Sequence, residues 1–158
     1  MNQKALIPIG LGALLLLWLF RRKLTPSVET FEWYDTEDYA NGSTSYPEGL
    51  KNFARAIASA EGFGIPGAIP TIANNPGDLK LGGDTINGIT VFSSVEEGWS
   101  KLYRQIALIV SGSSNYYNLD MTIAEMGRIY AGGDENWSTN VARYLGVSRD
   151  AHLWEVIV

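Results

Sequence analysis

The sequence predicts a mostly α-helical domain with one small β-hairpin, set behind a single N-terminal transmembrane helix. Three observations predict it. Residues 5–20 read ALIPIGLGALLLLWLF, without one charge. From Pro47 onward, apolar residues recur at helical spacing in stretches that close on glycine. An Asn87-Gly88 pair in a short β-prone stretch supplies one hairpin turn.

Residues 1–4 form a short tail. As a helix the apolar run rises about 24 Å at ~1.5 Å per residue, a little short of the ~30 Å hydrocarbon core. Lys4 and Arg21 flank it and can snorkel, and Trp18 stands where an interfacial aromatic belongs. Pro8 falls in the first turn, where a missing N–H does little harm. A cleaved signal peptide wants its basic cluster before the run, and here Arg21-Arg22-Lys23 follows it. A buried core helix would show a polar face, which this run lacks. Residues 5–23 therefore read as a retained single-pass anchor in a lipid membrane. The excess of positive charge after the run puts the C-terminal domain on the cytoplasmic side by the positive-inside tendency.

Residues 24–46 hold Glu29, Glu32, Asp35, Glu37 and Asp38, no basic residue, and a Gly/Ser/Thr run. That composition reads as a solvated acidic tether. Phe31, Trp33, Tyr34 and Tyr39 depart from a plain spacer and suggest docking, on the domain or on a neighbouring protein.

The domain is expected over residues 47–158. Pro47 suits a first helical position, Glu48 complements the helix dipole, and Leu50, Phe53 and Ile57 form a stripe ending near Glu61. Gly62-Phe63-Gly64 and Pro66 stop this helix, and an irregular stretch runs to Gly77. Leu79-Lys80-Leu81 and residues 85–92 read as a hairpin around Asn87-Gly88. A second helix opens at Ser93 or Ser94, with Glu96 and Glu97 in its first turn and Trp99, Leu102, Ile106 and Ile109 inward. Thr122 and Glu125 form a capping box for a third, carrying Ile123, Met126, Ile129 and Tyr130 and closed by Gly132-Gly133. A fourth runs from about Asn136 to Leu145. Asp150 is placed to cap a short last helix with Leu153, Trp154 and Ile157.

Composition excludes several functions. With no Cys there is no disulfide scaffold or thiolate site, and with one His a zinc enzyme is not expected; neither is any metal or cofactor. Beyond Lys23, eight basic residues face 17 acids, a poor balance for neutralising nucleic-acid phosphates. His152, beside Leu153-Trp154, reads as a packing or surface residue.

Glu61 breaks the pattern. It lies four residues beyond Ile57, so it shares the face of the core stripe at the C-terminal end of the helix. Desolvation and the negative end of the dipole both favour its protonated form, which a general acid requires. The alternative is a last-turn Glu in solvent or paired with Arg55 or Arg104. Beyond it, Phe63, Ile65 and Ile69 can wall a loop that leads to Asn74-Asn75-Pro76-Gly77-Asp78-Leu79. Asn amides offer donors and acceptors to hydroxyl and acetamido groups, although the same string also suits a plain turn.

A helix ending in Glu61-Gly62-Phe63, a Pro/Gly loop, Asn74-Asn75-Pro76-Gly77-Asp78-Leu79 and a short hairpin resemble the lysozyme-like domains of phage and bacterial muralytic proteins. The chain is most similar to lytic-transglycosylase-like phage domains. Phe92-Ser93, Gly98-Trp99 with Leu102, Tyr130-Ala131 and Asn136-Trp137 extend the likeness over roughly residues 49–156. The Gly-Leu-x-Gln segment usual after the catalytic Glu of transglycosylases is absent, and the Asn74-Asn75 string occupies its place.

The resemblance implies peptidoglycan glycan strands as substrate. It also implies cleavage of the β-1,4 bond between N-acetylmuramic acid and N-acetylglucosamine, with Glu61 as catalytic acid. Asp78 is the candidate second carboxylate if the enzyme is a hydrolase; Asp84 more simply serves its turn. A lytic transglycosylase needs no second one. Asn74, Asn75, Phe63 and Tyr130 are the expected substrate contacts, and Trp99 and Trp137 either stack on sugars or fill the core. Such an enzyme, anchored with its domain inward, suits a phage virion or the bacterial inner membrane. The second reading is an inactive lysozyme-like virion or membrane protein that binds glycan or a neighbouring protein through its aromatic tether.

Overall fold

A computed structural model describes residues 46–158. The anchor at residues 5–23 and the tether up to residue 45 lie outside the described residues. Among the described residues, no helix is long and apolar enough to cross a membrane. They form a mostly helical domain with one two-stranded sheet.

Helix α1 (Glu48–Glu61) is the central element. Leu50, Phe53, Ala54, Ala56, Ile57 and Ala58 are all buried on it, and it packs against three other helices. Each large side chain so buried contributes roughly 1.5–3 kcal/mol. The helix ends in a Schellman motif: the Gly62 N–H donates to the Ser59 carbonyl and the Phe63 N–H to that of Ala58. Gly62 takes φ +77°, which an L side chain rarely adopts. The reversal turns Phe63 back onto Trp99, ring edge to face at 5.7 Å.

The stretch expected to be irregular contains one helical turn, α2 (Ile69–Ile72), which Pro70 in its first positions pre-organises. The hairpin is smaller than expected. Strands β1 (Thr85–Ile86) and β2 (Ile89–Thr90) pair antiparallel, Thr85 with Thr90 and Ile86 with Ile89, around Asn87-Gly88. Both turn residues have positive φ, as a two-residue hairpin turn demands.

Helix α3 (Val95–Val110) starts at Ser94, whose side chain accepts from the Glu97 N–H, while Glu97 accepts from Ser93. It buries Trp99, Leu102, Tyr103, Ile106 and Ile109. Gly98 lies so close to the Asn74 carbonyl that a Cβ there would stand 1.9 Å from its oxygen. This contact fixes the Asn74-Asn75 segment against α3.

Helix α4 (Ile123–Tyr130) carries the full Thr122–Glu125 capping box. Its Ile129 is exposed. Helix α5 (Glu135–Leu145) starts one residue earlier than expected because Asp134, not Asn136, accepts the first free N–H. The last helix, α6 (Leu153–Ile157), starts at His152 rather than at Asp150. It is held by hydrogen bonds from Leu153 and Trp154 to the Met121 and Leu119 carbonyls, and Trp154 on it points outward.

Candidate active site

A cleft of about 540 Å³ opens beside the C-terminal end of α1. Glu61 and Asp78 lie in it together. The hairpin side contributes Lys80, Asn87 and Ile89, and the α4–α5 side contributes Ile129, Tyr130, Trp137 and Asn140.

Glu61 is part-buried and accepts a 2.7 Å hydrogen bond from the Trp137 indole N–H at Oε1. Among the described residues it pairs with no arginine. Arg55 is bound to Glu48 at 2.8 Å and Arg104 is exposed, so the alternative of a neutralised Glu61 does not hold. Burial, then the adjacent Asp78 carboxylate, push Glu61 up to about 7 from its ordinary 4.5. The Trp137 hydrogen bond and the Lys80 charge pull the other way. Asp78 is raised too, chiefly by burial, while its bond to Glu61 and the Lys80 charge restrain it. The two carboxyls thus share one proton, and below neutrality it rests on Glu61. The Trp137 N–H engages Oε1 and donates no bond to Oε2.

The backbone delivers Asp78 to this place. Its φ is +48°, in the left-handed region that Asp tolerates better than most residues. Asp78 Oδ1 is buried and takes no hydrogen bond from any other group.

Tyr130 lines the cleft with its ring, stacked on Trp137 at 4.9 Å. Its hydroxyl does not face a ligand: it donates to the Gly77 carbonyl. Burial, followed by the charge of Glu61, keeps that hydroxyl protonated far above its usual range.

The expectation that Asn74 and Asn75 contact substrate is corrected. Asn75 is wholly buried, its amide donating to the Leu79 and Thr90 carbonyls and its oxygen accepting from the Leu79 N–H. The Asn74 amide donates to the Phe92 carbonyl. Both tie the hairpin to the body, because a segment walled in by α3 has unpaired backbone groups to satisfy. Phe63 is corrected as well, since it packs on the core against Trp99 and lines no part of the cleft. Trp99 is a core residue, 3 % exposed.

Several cleft residues escaped sequence reasoning. The only signal for Lys80 is its place two residues beyond Asp78, whose left-handed backbone breaks the alternation of an extended segment. Asn136 and Asn140, which also line the cleft, are spaced i and i+4 on one face of α5. Nothing local announces that Trp137, 76 positions away, would donate to Glu61.

Among the described residues, no cluster of His, Cys, Asp and Glu could hold a metal ion. The arrangement offers one protonated carboxyl, positioned in a concave site by a neutral donor and a second carboxylate. Compared with protein-family models, with curated proteins and with solved structures, the chain matches none.

Proposed function

We propose that this chain is a membrane-anchored, peptidoglycan-degrading enzyme of lysozyme-like fold that works as a lytic transglycosylase. Glu61 is its general acid and base. The observation that carries the reading is a carboxyl held protonated near neutrality at the floor of an open cleft. Glu61 donates its proton to the bridging oxygen as the C1–O bond breaks. The acetamido group of the same sugar supports the oxocarbenium-like centre. The C6 hydroxyl then attacks C1 and returns its proton to Glu61. No water enters, and the product ends in an anhydro sugar.

Glu61 and Asp78 line the same cleft, and Asp78 bears on the Glu61 proton as an adjacent carboxyl does. A transglycosylase needs no second carboxylate as base or nucleophile, so this use of Asp78 supports that route over hydrolysis. The motif order from Glu61 to Trp137 supports the muralytic assignment. The basic cluster behind the apolar run supports placement in a virion or inner membrane, with the wall met at penetration or release.

A zymogram of the full-length chain in a peptidoglycan-containing gel tests the proposal. The wild type clears the gel, and Glu61→Gln, with its fold verified by circular dichroism, loses about 10²–10⁴-fold of the rate that a positioned acid supplies. Equal clearing by both refutes the role of Glu61. Clearing by neither leaves a passive glycan-binding or scaffold protein.

A further inference from the structure

We propose that Tyr130 is a positioning residue for Glu61: its hydroxyl pins the Gly77 carbonyl, which holds the next residue, Asp78, in the cleft beside Glu61. This inference rests on the reading of Glu61 as the acid, and it assigns Asp78 to proton placement rather than to nucleophilic attack.

Asp78 is held from both sides. On one side, the Gly77 carbonyl receives the Tyr130 hydroxyl. Gly77 is buried so tightly that a Cβ would stand 2.8 Å from a Leu102 methyl and 3.1 Å from the Tyr130 oxygen. On the other side, the Leu79 N–H and carbonyl are both taken by the Asn75 side chain. Between these two fixed peptides Asp78 keeps its left-handed conformation. Its carboxylate has one buried oxygen, Oδ1, without a hydrogen-bond donor. A carboxylate so placed is an acceptor for the Glu61 proton and a like charge against its loss. The other charged or titratable groups facing Glu61 are Lys80 from the hairpin segment, Tyr130 from α4 and Asp134 from the start of α5. Lys80 favours the ionised form, so the clamp acts against a standing counter-charge.

Without the Tyr130 hydroxyl the Gly77 carbonyl is left without its donor, and the Gly77–Asp78 peptide is held only by the long 3.3 Å bond from the Asp78 N–H to the Asn75 carbonyl, so it can turn. Asp78 then draws away, and Glu61 loses both its acceptor and its repulsive neighbour. The effect passes wholly through Asp78. That distinguishes it from a general loosening of the fold.

The test is a double-mutant cycle read by carbon NMR titration of the Glu61 carboxyl in the full-length chain, in parallel with pH–rate profiles of peptidoglycan lysis. In Asp78→Asn, the Glu61 titration and the alkaline limb of the rate profile move to lower pH. In Tyr130→Phe they move the same way by a smaller amount, and adding Tyr130→Phe to Asp78→Asn moves them no further. A Tyr130→Phe variant that lowers rate equally at every pH, or shifts additive in the double variant, overturns the proposal. If the wild type lyses nothing, the muralytic reading fails, while the NMR titration still decides whether Tyr130 acts through Asp78.

Discussion

Glu61 is the last residue of α1, where the Schellman turn at Gly62 stops the helix and a cleft begins. Its protonation has a consequence for stability. The folded chain holds the proton up to about pH 7, whereas an unfolded chain releases it near 4.5. Between those values the native state binds more protons than the unfolded one, so stability falls as pH rises. The stabilisation is fully present below 4.5 and is lost as pH passes through about 7; the raised Asp78 adds a loss of the same sign. The midpoint of urea denaturation for the wild type should therefore decline across this window. Glu61→Gln, which has nothing to titrate there, should give a flatter profile. Parallel profiles for the two proteins would contradict the assignment. Glu61 itself could be read from sequence, since the i, i+4 rule puts it on the stripe of Phe53 and Ile57. Of its partners, Asp78 is a candidate from its place just before the hairpin, whereas Trp137 reaches it only through tertiary packing.

At the scale of elements, the caps carried most of the information. Gly62 and Gly146 end their helices in the left-handed conformation, Ser94 and Thr122 accept the expected N–H groups, and Asn87-Gly88 turns the hairpin. These are local effects, settled within four residues. The Asn74-Asn75 segment shows the limit. Its composition fits a turn, a ligand contact and a buried brace equally well, and only the positions of Phe92 and Thr90, 18 and 15 residues onward, decide for the brace. Asn75 thus holds the whole Lys80–Thr90 side of the cleft onto the body. Replacing Asn75 with Ala removes the partners of the Thr90 carbonyl and the Leu79 N–H in a dry interior, while the Leu79 carbonyl keeps the Thr90 N–H. At about 1–3 kcal/mol per unsatisfied group, the loss should reach at least ~2 kcal/mol by urea unfolding. A loss within about 0.5 kcal/mol would show that the hairpin is held by other means.

For the whole molecule, the described domain has a single core built around α1, with the cleft between the hairpin and the α4–α5 corner. The helical class and the one hairpin were readable because periodicity, caps and turn residues agree along the chain. The walls of the cleft were not, since they come from four separate stretches brought together by the folding of α5 and α6 onto α1. The proposed account links this architecture to one chemistry, intramolecular attack by a sugar hydroxyl after proton donation by Glu61. Mass spectrometry of the fragments that the full-length chain releases from purified peptidoglycan tests it most directly. Anhydro ends, one water lighter than reducing ends, are the predicted result; reducing ends alone, or no fragments between pH 5 and 7, would contradict it.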